Sequence, residues 1–307
     1  MRIAVIDLGT NTFNLLVAER DGGGRLHVVH SEEVPVFLGR GGIEKGVITD
    51  EAIQRGLDAL ERYAAKACEL GAARIAGFGT SALRNARNAH AFVEEADRRF
   101  GIPITVVPGT EEAGLILDGV RQAVAFGTKP MLVMDIGGGS IEFILATDKA
   151  MMWKQSFELG VTRLRERFPT GDPMPLEDQL RIGEHLDHHL EPLWAVMDRH
   201  WPDTLVGSAG SFDTLAAMIA GSTDRGLASN EVTLAFDHIA FDALKDRLMA
   251  LPRGERARVP GMPAHRVDTV CYALIAIERV LMRGITELRW SRYALKEGAA
   301  ARLFHGA

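Results

Sequence analysis

The chain has 307 residues, a formal charge of −6, 47% hydrophobic and 25% charged side chains, and is long enough for two cores of roughly 150 residues each. No apolar run reaches the roughly 20 residues that span a bilayer, MRIAVIDLG enters a strand pattern at once, and Cys68 and Cys271 lack CxxC spacing. The expectation is a cytoplasmic protein with reduced, buried thiols and no nucleic-acid or membrane partner, although a few arginines focused in a cleft would still serve a polyanion.

RIAVIDLGTNTFNLLVAER reads as strand, turn and strand, with Asp7 at a strand end, Gly9 in the turn, and Thr10, Asn11 and Thr12 after it. LHVVHSEEVPVFLGRGG continues as a third strand into a glycine-rich loop, and Gly22–Gly24 is a hairpin tip. Thr49 caps a helix that carries acids in its first turn and has Gly71 just past its end. AARIAGFGTSALRNARN is expected to be a strand ending in Thr80 and Ser81, with Arg84 and Arg87 on the turn beyond. NAHAFVEEADRRFG is a helix and IPITVVPG a strand. Thr110 caps the next helix, placing Glu111 and Glu112 in its first turn, where acids complement the helix dipole. AFGTKP, ending at Pro130, breaks that helix and marks the domain boundary.

The second half repeats the first. LVMD and IEFILA are strands joined by GGGS, so that Asp135 enters a turn of Gly137, Gly138, Gly139 and Ser140, and Glu142 leaves it. Glycines let such a turn fold tightly and aim several amides at one point, an anion nest; two carboxylates beside it suit a hard divalent cation. The device Asp, glycine turn, hydroxyl, strand thus occurs twice, which implies two related lobes whose loops grip a phosphoryl chain. MMWKQSFELGVTRLRERF turns from strand to helix with Arg163, Arg165 and Arg167, and QLRIGEHLDHHLEPLWAVMDRH is expected to be one long helix. DTLVGSAGSFDTLAAMIAG reads as strand, a small-residue loop from Gly207 to Ser211, and helix. FDHIAFDALKDRLMAL is helical, PGMPAHRVD is a turn, and the apolar helix VDTVCYALIAIERVLMRG suits a core or a dimer surface. TELRWSRYALKEGAAARLF ends the chain as strand and short helix, so the class is α/β with mixed sheets.

Several familiar signatures are missing. There is no GxxxxGK[ST] loop and no GxSxG elbow. His185, His188 and His189 share a helix but lack a third ligand at a known zinc spacing, and they read as a solvated face.

Taken in order, VIDLGTNTF, TSALRNARN, VVPGTEEAGLI, VMDIGGGSIEF, FELGVTRL, SAGSFDTL, PGMPAHRVD and YALKEG resemble the motifs of the exopolyphosphatase/guanosine pentaphosphatase (Ppx/GppA) phosphatase family over nearly the whole chain. The resemblance implies two actin-like (ASKHA, ribonuclease H-like) lobes with a cleft between them. They would span 1–126 and 127–307, with 295–307 free to pack back on the first. It assigns Glu112 as the base that activates water, with Glu111, about 100° round the helix, left structural. It gives the phosphate to Asn11, Arg84, Gly137 and Ser140, and Mg²⁺ or Mn²⁺ to Asp135 and Glu142; the repeated loops extend the phosphate expectation to Gly9, Thr10, Thr12, Gly138 and Gly139, and the metal expectation to Asp7. Ile141, the Ser208–Ser211 run and Arg40 depart from the family's commoner residues, and no His-Asp dipeptide marks an HD phosphohydrolase domain.

The implied activity is removal of terminal phosphate from inorganic polyphosphate, with guanosine pentaphosphate or tetraphosphate as the alternative ligand and a homodimer left open. Two other classes keep the same loops: an ATP-dependent small-molecule kinase with an adenosine pocket at Gly207–Ser211, and a non-catalytic polyphosphate or alarmone sensor.

Overall fold

A computed structural model describes residues 1–221, 226–228 and 230–305 and divides the chain into two compact units, Met1–Gln122 with Tyr293–Ala307, and Ala123–Arg292. In the first, β1 (Arg2–Leu8), β2 (Thr12–Arg20) and β3 (Leu26–Pro35) form an antiparallel meander. They are followed by α1 (Asp50–Glu69), β4 (Arg74–Gly79), α2 (Ser81–Asn85), α3 (Ala89–Phe100), β5 (Ile104–Val106) and α4 (Gly109–Ala123). The sheet order is β3-β2-β1-β4-β5, with β4 parallel to β1 and β5 parallel to β4. Strand alternation sends Ala4, Ile6 and Leu8 of β1 and Phe13, Leu15 and Val17 of β2 to one core, completed by Leu60 and Tyr63 of α1 and Phe92 of α3. Thr49 caps α1 by accepting the amide of Ala52 at 3.3 Å, and Gly71 follows it at φ +71°.

The second unit repeats the plan. Its meander is β6 (Met131–Ile136), β7 (Ile141–Ala146) and β8 (Met151–Phe157). Next come α5 (Val161–Arg167), α6 (Leu176–His189), α7 (Glu191–His200), β9 (Thr204–Ser208) and α8 (Ala209–Gly221). β10 (Thr233–Phe236), α9 (His238–Ala250), α10 (Arg253–Arg256), α11 (Val270–Leu281) and β11 (Glu287–Ser291) complete it. The order β10-β11-β9-β6-β7-β8 matches the first sheet strand for strand and in every pairing sense, with β10 added at the edge. The repeat read from two hairpins therefore extends to whole sheets. The apolar helix α11 is core: every residue from Val270 to Ile277 is buried, and it packs on α5, α6 and α9.

Local departures from the sequence reading have local causes. The long helix expected over 179–200 is two helices, α6 and α7, meeting at Leu190. Pro192 offers no amide to the carbonyl of His188, and its ring would clash there. No small-residue loop separates β9 from α8, because Ala209 makes the turn alone at φ +63°. Arg84 lies on α2 rather than on a turn, and β10 and α10 are short elements that carry no clear periodicity. No helix of the described residues is long and apolar enough to cross a membrane.

The chain ends on α12 (Leu295–His305), which packs on β1, β2 and β3 and crosses α4 at two glycines. A Cβ on Gly119 would lie 1.8 Å from the carbonyl oxygen of Ala294, and one on Gly298 would lie 1.8 Å from that of Leu115. Both obstacles are backbone, so neither can swing aside. Gly119→Ala is expected to lower the urea midpoint by the equivalent of about 1–3 kcal/mol through overpacking. Gly127→Ala, whose Cβ would meet nothing within 4 Å, is the control and should leave the midpoint nearly unchanged.

Candidate functional site

The two glycine hairpins are built alike. In each, the first glycine's amide donates across the turn: Gly9 to Thr12 and Gly137 to Ser140, both at 3.0 Å. A Cβ at Gly9 would sit 2.8 Å from the Thr12 carbonyl oxygen, which is why the turn needs glycine there.

The segment packed against each hairpin decides which way its peptides face. At the start of α5 the amides of Gly160, Val161 and Thr162 donate to the carbonyls of Gly139, Gly137 and Gly138 at 3.2, 3.1 and 2.8 Å. Arg163 adds its amide to Gly138 at 3.3 Å and its Nε to Gly139 at 3.2 Å. All three glycine carbonyls are thus turned toward α5. In a trans peptide the N–H points opposite the C=O, so the amides of Gly138, Gly139 and Ser140 are turned away from α5. In the first unit the Thr10 carbonyl accepts the Gly39 amide at 3.1 Å, and the Asn11 carbonyl accepts those of Val36 and Phe37 at 2.9 and 2.8 Å. The amides of Asn11 and Thr12 are oriented by the same rule. Phe37 adopts φ +52°, an unfavourable region for a bulky residue; Arg55 holds the Val36 and Phe37 carbonyls at 2.7 and 3.1 Å, and Arg40 stacks on the Phe37 ring.

Beside the second loop lie two acids. Asp135 and Glu142 are register partners across β6 and β7, and only 7% and 1% exposed. Directly opposed residues hold their Cβ atoms about 5 Å apart, and like charges so placed repel. The row continues sideways through two hydroxyls. Ser208, opposite Asp135 on β9, donates to Asp135 Oδ2 at 2.7 Å, and Ser156, opposite Glu142 on β8, donates to Glu142 Oε1 at 2.6 Å. Ile141, by contrast, faces the apolar core. In the first unit Asp7 takes the place of Asp135, but its register partner is Asn14, an amide where the other hairpin has an acid. Among the described residues no three His, Cys, Asp or Glu side chains gather as a metal-ligand group. A two-carboxylate set of hard oxygens suits Mg²⁺, which commonly binds one or two carboxylates and fills its remaining positions with water and phosphate oxygens.

Arg84 and Glu112 come together within the first unit. Arg84 Nη1 lies 2.6 Å from Glu112 Oε2 and 3.2 Å from the Val107 carbonyl. Glu112 is buried in the first turn of α4 while its neighbour Glu111 is exposed, so the two acids separate by burial as helix geometry requires. Thr80, just past β4 at the start of α2, braces the end of β1, its hydroxyl donating to the Leu8 carbonyl at 3.2 Å. Arg87 is engaged elsewhere, on the Lys45 carbonyl at 3.0 Å. At the β9–α8 turn the chain's own side chains approach the glycines: Phe212 lies 2.0 Å from where a Gly207 Cβ would stand, and Arg266 lies 1.9 Å from that of Gly210.

The sequence did not point to Ser156, Gly160 or Arg266, and it singled out Ser208 only as part of the Ser208–Ser211 run, not as the partner of Asp135. The serines emerge only once strand register is known. Gly160 carried a usable signal, a lone glycine between a strand and a basic helix.

The profile of the Ppx/GppA phosphatase family matches residues 16–306. Exopolyphosphatase 2 of Mycobacterium tuberculosis is 30% identical over 315 aligned positions, covering 98% of this chain and 98% of the relative. The crystal structure of an exopolyphosphatase from Cytophaga hutchinsonii superposes with a TM-score of 0.97 at 37% identity, covering 100% of this chain and 99% of that one. A Ppx/GppA family member from Aquifex aeolicus shares the fold at 24% identity and a TM-score of 0.82, over 100% of this chain and 98% of its own.

A Cβ on Gly160 would lie 2.4 Å from the backbone of both Gly138 and Gly139. Gly160→Ala is expected to push the loop off α5 at a cost of about 1–3 kcal/mol, with secondary structure intact by circular dichroism. Amide exchange at Val161 and Thr162 should speed up accordingly; unchanged exchange would show that the loop does not depend on this contact.

Proposed function

The chain belongs to the Ppx/GppA phosphatase family, and from that premise we propose that it hydrolyses the terminal phosphoanhydride bond of inorganic polyphosphate, releasing orthophosphate. Its two mixed sheets flanked by helices have the actin-like architecture of that family. The observation that supports the reading best is the pair of buried carboxylates, Asp135 and Glu142, opposed beside a glycine loop whose amides are turned away from α5. A cation would relieve the repulsion within such a pair, and an anion would take up such amides.

The chemistry follows from the charges. A polyphosphate end resists attack because its oxygens repel an incoming nucleophile. In the second unit the amides of Gly138, Gly139 and Ser140 would donate to phosphoryl oxygens where negative charge grows, and the first unit's Asn11 and Thr12 amides are built for the same task. Asp135 and Glu142 would hold Mg²⁺ or Mn²⁺; when bound, the ion screens the phosphoryl oxygens. Asp7, whose partner Asn14 brings no charge, makes the first hairpin the weaker cation site of the two. Ser208 and Ser156 orient the two carboxylates by donating to one oxygen of each.

Glu112 would accept the proton of the attacking water as the water oxygen bonds to the terminal phosphorus. The bond from phosphorus to the bridging oxygen breaks, and its electron pair leaves with the shortened chain. Arg84 holds the Glu112 carboxylate from one side. An arriving phosphoryl group competes for that guanidinium, so substrate draws on Arg84 as it reaches the carboxylate.

Phosphate release from long polyphosphate, guanosine pentaphosphate and ATP, measured side by side without an acceptor, tests the proposal. Polyphosphate is expected to be the fastest; a faster guanosine pentaphosphate reaction would move the assignment to the nucleotide. Glu112→Gln is expected to lower kcat about 10²–10⁴-fold. Full activity in that variant would remove Glu112 from the role of base.

A further inference from the structure

Within the second unit lies a cavity of about 300 Å³ that the proposed reaction does not use. Its lining includes Arg165 of α5, Arg253 and Arg256 of α10, Asp172, Asp268 and Tyr272. Three guanidiniums meet two carboxylates, and both carboxylates are already engaged. Asp172 accepts the Arg253 amide at 2.9 and 2.7 Å on its two oxygens and Arg256 Nη2 at 3.0 Å. Asp268 takes Arg253 Nε at 2.6 Å and lies 3.4 Å from Arg165 Nη2. One positive charge is left over, and a guanidinium cannot shed it by losing a proton.

That surplus is costly because part of it is buried. Arg256 is 7% exposed, and its Nε has no hydrogen-bond partner. Its Nη1 reaches only the carbonyl of Leu251 at 3.1 Å, the distant carbonyl of Leu248 at 3.5 Å and Cys271 Sγ at 3.1 Å. Cys271 does not neutralise it: burial pushes the thiol up to about 11 against the pull of Arg256, so the sulfur stays protonated near neutral pH. Arg256 shares its one carboxylate, Asp172, with the Arg253 amide and leaves Nε without a partner, and a buried charge so incompletely bonded destabilises a fold unless a further acceptor reaches it. Arg165 and Arg253, about half exposed, stand over the same space with several N–H donors beyond those their carboxylates take.

We propose that this cavity is a second oxyanion site, separate from the glycine loops, that takes a phosphoryl group between Arg165 and Arg253 above the buried charge of Arg256. Guanidiniums at its mouth suit the paired oxygens of phosphate, and the volume leaves room for a phosphoryl group with its water. The site takes its support from charge and burial alone and does not depend on which reaction the protein performs. Free orthophosphate and a phosphoryl unit of a longer chain share the recognised chemistry.

The test is arginine labelling with a dicarbonyl reagent on the intact protein, mapped by peptide mass spectrometry. It is run in chloride, in orthophosphate and in tripolyphosphate at matched ionic strength. At about ten times its dissociation constant a ligand leaves roughly a tenth of the sites open, so labelling of Arg165 and Arg253 should slow about tenfold. Exposed Arg62 should be unaffected. Protection by both probes identifies a site for single phosphoryl groups; protection by tripolyphosphate alone identifies a site for the chain. Arg165→Ala should weaken the protection read at Arg253. Equal labelling of Arg165 and Arg253 in all three solutions, or the same change at Arg62, would overturn the proposal. Because the readout is occupancy and not turnover, an inactive protein could still pass it and an active one could still fail.

Discussion

A glycine-rich turn has no preferred face of its own; neighbours must fix which side shows amides and which shows carbonyls. Here that task falls to the residues just after the meander. In the second unit the first amides of α5 take the carbonyls of Gly137, Gly138 and Gly139, and the peptide geometry leaves the amides facing the other way. Gly160 is glycine because nothing larger fits against that loop. In the first unit the same result is reached without a helix. The chain turns at Phe37, and the amides of Val36, Phe37 and Gly39 hold Asn11 and Thr10. The unfavourable backbone of Phe37 is intelligible as a consequence: its amide must reach Asn11, and Arg55 and Arg40 keep it there.

The duplicated hairpins then diverge in charge. Opposed acids cost roughly 0.2–1 kcal/mol even on an open sheet, and burial raises that cost. The second unit accepts it at Asp135 and Glu142 and offsets part of it with the hydroxyls of Ser208 and Ser156. The first unit avoids it by placing Asn14 opposite Asp7. Selection for stability alone would favour the amide in both. Under the proposed reaction a cation held by Asp135 and Glu142 would offset the cost of the second acid, whereas the first hairpin needs no such compensation.

Much of this was visible in the sequence because it rests on local chemistry. Asp7–Gly9 and Asp135–Gly137 announce strand ends and turns, Thr49 announces a helix, and repetition of the hairpin announces a duplicated fold. The features that stayed hidden depend on pairing between distant segments. Ser208 becomes a partner of Asp135 only through the parallel register of β6 and β9, and Ser156 becomes one of Glu142 only through β7 and β8. The break at Pro192 and the one-residue turn at Ala209 escaped the sequence for a different reason. In each case a single residue decided the backbone path against a pattern that extended across it.

Helix α5 links two features that the sequence placed close together without showing why. Its first amides set the orientation of the glycine loop, and its last turn carries Arg165 to the edge of the arginine-lined cavity. The helix is only seven residues long, too short to bend appreciably between its ends. Arg165 and the amides that hold Gly137 to Gly139 are therefore parts of one short element. The Tyr272 hydroxyl, donating to the Phe168 carbonyl at 2.7 Å just past the helix, ties that end to α11 in the core. With its first turn bonded to the glycine carbonyls and its far end tied to α11, this short helix is held at both ends, so the orientation of the loop and the position of Arg165 are set by the same packing.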